Sequence, residues 1–144
     1  MLLVDEKTSL YRGNRPKDLN EVKNAGIKRI ISLESGIYDL FHADQTVERQ
    51  FPCEFGMDQY DMKSSDFTAP EDWVVLKFLA LVRDEKPTLV HCLSGVDRTG
   101  FVCAAYRMQV QGWSFQQARD EWVNLGRHPW YFIWESKLKK WESK

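Results

Sequence analysis

An α/β domain with a central, mostly parallel sheet flanked by helices is the fold class that the sequence predicts. Three observations carry this expectation. Short runs rich in β-branched residues alternate with amphipathic segments of helical spacing. Turn-forming residues punctuate the chain evenly, with no repeat, low-complexity tract or linker. The apolar run Thr88-Leu89-Val90 and the helical stretch Phe101 to Val110 enclose a short loop, the strand-loop-helix order that open α/β sheets use to hold ligands.

The elements follow in order. Ser9 to Arg12 reads as a short strand, after which Asn14 and Pro16 open a helix whose Leu19, Val22 and Ala25 share a face and which stops at Gly26. Ile27 to Leu33 is a buried strand. Gly36 to Gln50 shows helical spacing at Tyr38, Phe41 and Val47, and Glu54 to Met62 alternates as a strand does. From Glu71 to Glu85 the residues Val75, Phe78, Leu79 and Val82 form one apolar stripe of a helix. Thr88 to His91 is the central strand, followed by a helix over Thr99 to Gln111. Next comes a helix opened by the capping box Ser114-x-x-Gln117 and closed at Gly126. A last helix carries Trp130, Trp134, Leu138 and Trp141, aromatics read as core.

With 144 residues, 43% of them hydrophobic, the chain suits one compact domain spanning 1–144. Its formal net charge of −1 and mixed signs argue against a nucleic-acid binder, which needs a broad basic face. The only basic cluster, Lys137-Leu138-Lys139-Lys140, reads as a solvated last helical turn. Three cysteines fit a reducing compartment with a free thiol better than a disulfide framework. No apolar run reaches membrane-spanning length, and Met1 to Lys7 carries charges where a signal peptide needs a hydrophobic stretch. A soluble cytoplasmic protein is the expectation; a removed leader would make it periplasmic or secreted. Oligomeric state is not readable.

The chemistry concentrates in His91-Cys92-Leu93-Ser94-Gly95-Val96-Asp97-Arg98-Thr99-Gly100. Five residues between Cys92 and Arg98 make a tight loop whose backbone N–H groups, from Leu93, Ser94, Gly95, Val96, Asp97 and Arg98, can converge on an anion at a helix start. Gly95 permits a turn with positive φ close to that anion. Cys92 would lie beneath a bound phosphate as a nucleophile, beside the planar fork of Arg98. Thr99 can donate its hydroxyl to the sulfur when the thiolate must leave. His91 either orients the loop from the side or is a hydrogen-bonded core histidine.

Phosphate transfer to a thiolate needs a general acid on a separate segment. Asp66, in the polar loop Ser64-Ser65-Asp66-Phe67-Thr68-Ala69-Pro70, is the candidate, with Asp58, Asp61 and Asp72 as rivals. It would protonate the leaving oxygen and then deprotonate the attacking water. Arg98 and the N–H groups supply the positive field, so no metal or other cofactor is expected; His42, His91 and His128 lack metal-ligand spacing.

The loop in its strand-to-helix setting resembles the signature loop of the protein tyrosine phosphatase superfamily. Leu10-Tyr11-Arg12-Gly13-Asn14-Arg15-Pro16 is similar to the Tyr-Arg-Ser-x-Gln-Pro opening of compact bacterial dual-specificity-like phosphatases. Gly112-Trp113-Ser114 with Ala118 resembles their later helices. Ser65-Asp66-Phe67-x-x-Pro70 is similar to the Thr-Asp-His-x-x-Pro acid loop of tyrosine-phosphatase-like phytases, with Phe67 replacing the histidine. Asp97 departs from the small residue found there in phytases, whereas Asp-Arg-Thr occurs in myotubularin-like lipid phosphatases and several bacterial members.

The resemblance implies phosphomonoester hydrolysis through a phosphocysteine intermediate, with a slight tilt toward an inositol phosphate and a phosphoprotein as the alternative. A non-catalytic phosphate-binding module is the alternative of another class; its cue, a missing cysteine, arginine or acid, is not seen. A rhodanese-like sulfurtransferase would not need Arg98 followed by Thr99-Gly100. A highly anionic substrate prefers positive walls, which Arg12, Arg15, Lys63, Arg127 and His128 could supply, Lys63 being included among the substrate-binding candidates. Cys103 reads as a small core residue, and Cys53 either as a plain thiol or as one that pairs with Cys92 on oxidation, as in some relatives.

Overall fold

The computed structural model describes residues 1–35 and 50–143. Five strands among them, β1 (Leu2–Asp5), β2 (Leu10–Gly13), β3 (Arg29–Ser32), β4 (Asp58–Asp61) and β5 (Thr88–His91), form one sheet in the order β1-β2-β5-β3-β4. β5 sits in the middle, as its wholly buried side chains require. All pairings are parallel except β1 against β2.

Register decides where the site can be. Gly13 and Ser32 both lie level with His91, and Asp61 lies level with Ser32. The segments leaving β2, β3, β4 and β5 therefore emerge together along one edge.

The two faces are covered unequally. With a side-chain period of two, Ile30 and Leu89 point to a small cluster with Leu19, Val22, Ile27 and Met57. Their neighbours Ile31 and Val90 point to the larger core. On the small side lies α1 (Leu19–Asn24), capped by the Asp18 carboxylate, which accepts from Asn20 N at 2.9 Å. The helix begins later than Asn14 and Pro16 suggest, because residues 14–17 run alongside the signature loop, Arg15 N bonding Leu93 O at 3.2 Å.

The larger core gathers α2 (Asp72–Val82), α3 (Arg98–Gln111), α4 (Phe115–Asn124) and α5 (Glu135–Lys139). The capping box at Ser114 and Gln117 forms as predicted. Two expectations change. Pro52 starts a 3-10 turn, Pro52–Phe55, that Gly56 closes with φ +75°, so β4 begins only at Asp58. Pro129 starts a second, Pro129–Trp134, in place of one long final helix; its three-residue period turns Tyr131 and Trp134 inward and leaves Trp130 exposed.

β1 has no counterpart in the sequence reading. It is an edge strand pinned from outside: Tyr106 Oη donates to Asp5 Oδ2 and Arg107 Nη1 to Val4 O, both at 2.7 Å. The helical expectation for Gly36 to Gln50 falls largely outside the described residues, as does His42. Among the described residues no helix is long and apolar enough to cross a membrane.

Candidate active site

Residues 92–97 curl between the end of β5 and the first turn of α3. Gly95 has φ +77°, and a Cβ there would lie 2.4 Å from Gly13 C and 2.7 Å from Asn14 N. Only glycine lets the loop pack so closely on the chain leaving β2. Its N–H donates to Cys92 Sγ at 3.3 Å. Cys92 is buried at the floor.

The outer face of the loop is a row of satisfied carbonyls. Leu93 O accepts from Arg15 N, Gly95 O from Arg12 Nη2 at 3.0 Å, and Trp122 Nε1 reaches both Val96 O (3.1 Å) and Asp97 O (3.2 Å). In a trans peptide the C=O and the next N–H point in opposite directions, and the described residues contain no cis bond. With these carbonyls facing outward, the N–H groups of Ser94, Val96, Asp97 and Arg98 face the other way, toward the concave side. The concavity is thus shaped from behind.

Arg98 is 2% exposed. Its Nη1 is held by Ser64 O at 3.1 Å and Leu33 O at 3.4 Å, carbonyls from the segments after β4 and β3. Asp66, in the segment between β4 and α2, brings Oδ1 within 3.7 Å of Arg98 Nε. Its main-chain carbonyl accepts from Tyr131 Oη at 2.9 Å. Asp66, remote in sequence from the loop that carries Cys92 and Arg98, meets it at one end of the sheet.

Several expected residues stand differently. Thr99 is buried with its hydroxyl unpartnered, so the donor on the sulfur is Gly95 N–H. The Asp97 carboxylate turns away from the concavity to His128, whose backbone N–H (2.9 Å) and Nδ1 (2.7 Å) it binds. His91 lies behind the loop, Nδ1 3.2 Å from Cys92 O and 3.6 Å from Glu34 Oε2. Burial holds its pKa below the usual histidine value, against the pull of Glu34, so the ring is neutral near pH 7. Leu93 and Val96 are half-buried, Ser94 is exposed, and Lys63 is exposed one residue before Ser64.

The positive wall largely dissolves. Arg12 is buried under Gly95, Arg15 is paired with Glu34, and Arg127 is buried on Glu135 at 2.7 Å. Each guanidinium is spent on holding a loop. All three cysteines are free. Cys53 lies in the turn entering the amino end of β4, whereas Cys92 leaves the carboxyl end of β5. A four-residue strand spans about 13 Å, beyond disulfide reach. Burial pushes the Cys103 thiol up, as suits a core residue.

The sequence offers Arg12 and His128 only as rim charges and does not single out Trp122 or Tyr131 for the site; the structure makes all four supports of the loops. Arg12 left one sign, an arginine in phase with Leu10 on the buried side of β2. The other three act over long sequence distances that no local pattern encodes.

Fold and loop together define a domain of the protein tyrosine phosphatase superfamily. Residues 8–111 match the family model Tc-R-P, described as a polymorphic toxin system DSP-PTPase phosphatase, and the chain belongs to that family. It is similar to the dual specificity protein phosphatase TpbA of Pseudomonas aeruginosa, with 47% identity over 52 residues, 36% of this chain and 24% of that protein. The match thus spans about a quarter of that relative's length. Among solved structures, Tk-PTP in its active form has a TM-score of 0.71 at 23% identity, covering 96% of this chain and 92% of the other. The core catalytic domain of the PP-IP phosphatase SIW14 from S. cerevisiae has a TM-score of 0.67 at 20% identity, covering 94% and 81%. At these identities the structures speak for the fold.

Proposed function

We propose that this domain hydrolyses phosphomonoesters by way of a phosphocysteine intermediate. The observation that carries the reading is the convergence of a buried sulfur, an amide-lined concavity, the Arg98 guanidinium and the Asp66 carboxyl. The Cys92 thiolate attacks phosphorus while the bond to the leaving oxygen breaks and Asp66 gives that oxygen its proton. Asp66 then takes a proton from water as its oxygen attacks phosphorus. The P–S bond breaks, inorganic phosphate leaves, and the thiolate returns. Inward N–H groups and Arg98 stabilise the equatorial charge in both steps. Thr99, whose buried hydroxyl is unpartnered, is assigned as a second donor to the departing thiolate, beside the Gly95 N–H.

Within this chemistry the surroundings favour an aryl phosphate, such as a phosphotyrosyl side chain. Arg12, Arg15 and Arg127 are engaged elsewhere, and Phe67, next to the acid, is 75% exposed. An aromatic rim with few unengaged positive charges among the described residues suits one phosphate on a ring better than many on a small polyol. A phosphorylated inositol is the second reading, supported by the acid-loop resemblance and by the likeness to SIW14.

Phosphate release from inositol hexakisphosphate, phosphotyrosyl and phosphoseryl peptides and an aryl phosphate tests both. The expected result is at least about tenfold higher kcat/KM on the aryl and phosphotyrosyl substrates. Preference for inositol hexakisphosphate would replace the first reading by the second. Cys92→Ser should abolish turnover and keep phosphate binding; residual activity within about tenfold of the parent would remove the cysteine mechanism.

A further inference from the structure

The family match ends at residue 111, yet a segment beyond it touches both working loops. His128 binds the Asp97 carboxylate twice, and Tyr131, three residues on, donates to Asp66 O at 2.9 Å. Asp97 is 5% exposed and immediately precedes Arg98; Asp66 stands 3.7 Å from that arginine's Nε. We propose that His128–Tyr131 is a strap fixing the separation of the acid loop from the phosphate loop, with Tyr131 positioning the Asp66 carboxyl and His128 positioning the amide cradle. This rests on the assignment of Asp66 as general acid and of residues 92–98 as the phosphate site.

The strap is itself held at both ends. Arg127 Nη1 binds Glu135 Oε2 at 2.7 Å, and Arg119 Nε binds Glu135 Oε1 at 3.2 Å from α4. The Arg127 guanidinium also lies 4.7 Å over the Trp122 ring, whose Nε1 reaches the carbonyls of the phosphate loop. The 3-10 period packs Tyr131 on Trp134 at 4.2 Å between ring centroids, and Trp134 stacks on Trp122 at 6.5 Å. A ring confined in this way can move its hydroxyl very little.

The chemistry of each contact separates positioning from catalysis. Tyr131 binds the main-chain carbonyl of Asp66, which leaves the carboxyl to exchange protons. Burial, reinforced by the Asp66 contact, raises the phenol above its ordinary range, so it stays a donor throughout the working pH. His128 engages both oxygens of Asp97 and so holds that carboxylate turned away from the concavity.

The test uses Asp66→Asn, Tyr131→Phe, His128→Ala and His128→Asn. Each is measured on p-nitrophenyl phosphate, whose leaving group needs little protonation, and on phenyl phosphate, whose leaving group needs more. Inorganic phosphate as competitive inhibitor reports on the cradle, and a melting curve reports folding. Asp66→Asn should lower kcat/KM about 100-fold more on phenyl phosphate than on the nitrophenyl ester, since that ratio reports the step in which the leaving group departs. Tyr131→Phe should show the same bias at about 5–10-fold with an unchanged phosphate Ki, because the acid is present but misplaced. His128→Ala should raise the phosphate Ki about 5–10-fold and slow both substrates equally, and His128→Asn, whose amide can still donate to Asp97, should recover most of the loss.

Equal losses on both substrates in Tyr131→Phe, or an unchanged Ki in His128→Ala, would overturn the strap while the acid assignment stands. An Asp66→Asn variant without leaving-group bias would overturn that assignment and the strap with it.

Discussion

Replacing Gly95 by alanine isolates what the shape of the phosphate loop depends on, and Gly112→Ala is its internal control. The two glycines share nearly the same backbone, φ +77° and +70°, so an L side chain meets a similar left-handed penalty of about 1–2 kcal/mol at each. Their surroundings differ. Nothing lies within 4 Å of a Cβ at Gly112, whereas at Gly95 it would meet Gly13 C at 2.4 Å and Gly13 O at 2.5 Å. Backbone cannot swing aside as a side chain can, so overpacking adds about 1–3 kcal/mol, and the loop must retreat about 1 Å to reach ordinary contact. For a domain of this size each kcal/mol moves Tm by about 3–4 °C. Gly112→Ala should therefore melt about 3–8 °C lower with kcat/KM unchanged, and Gly95→Ala about 6–20 °C lower. A 1 Å displacement of the cradle should cost Gly95→Ala about 100-fold in kcat/KM on an aryl phosphate. Scanning calorimetry and initial rates decide it. Equal melting losses, with Gly95→Ala activity within about threefold of the parent, would refute the argument that close packing on Gly13 shapes the loop.

Two further outcomes follow from buried groups. Arg12→Met removes the charged donor from Gly95 O and should raise the Ki of inorganic phosphate by about 10- to 100-fold, in line with about 1.5–3 kcal/mol for a charge-assisted bond; an unchanged Ki would leave Arg12 only a packing role. His91 has a folded pKa below its unfolded value of 6.5, so as the pH falls from 6.5 the unfolded chain takes up the proton first. Its contribution to stability is full above that pH and is lost as the pH drops toward the folded value, at most about 1.4 kcal/mol per pH unit. Denaturant unfolding between pH 5 and 7.5 should show a shallower acid-side loss in His91→Asn than in the parent, and identical slopes would sink the assignment.

The sheet, the central strand and the signature loop were legible because local chemistry specifies them. Thr88-Leu89-Val90 can only be a buried strand, Gly95 admits the left-handed turn, and the Ser114–Gln117 box closes on itself. Asp66 was legible as a polar loop residue of the right type. The 3-10 turns were not, because Pro52 and Pro129 each favour a first helical position without choosing the helix that follows. β1 escaped notice because four residues at an exposed edge carry no burial pattern until Tyr106 and Arg107 reach across to them.

The sequence by itself determined the candidate reactive groups: one cysteine, one arginine and an amide-rich loop, adjacent along the chain and therefore bound to lie near one another. Tertiary structure alone decided how those groups are aimed. Parallel register brought Asp66 and the Leu33 and Ser64 carbonyls to Arg98, and long-range packing set Arg12, Trp122, His128 and Tyr131 around the loop. Such contacts depend on distances through space between residues up to 83 positions apart, and no periodicity or short motif can encode a distance of that kind.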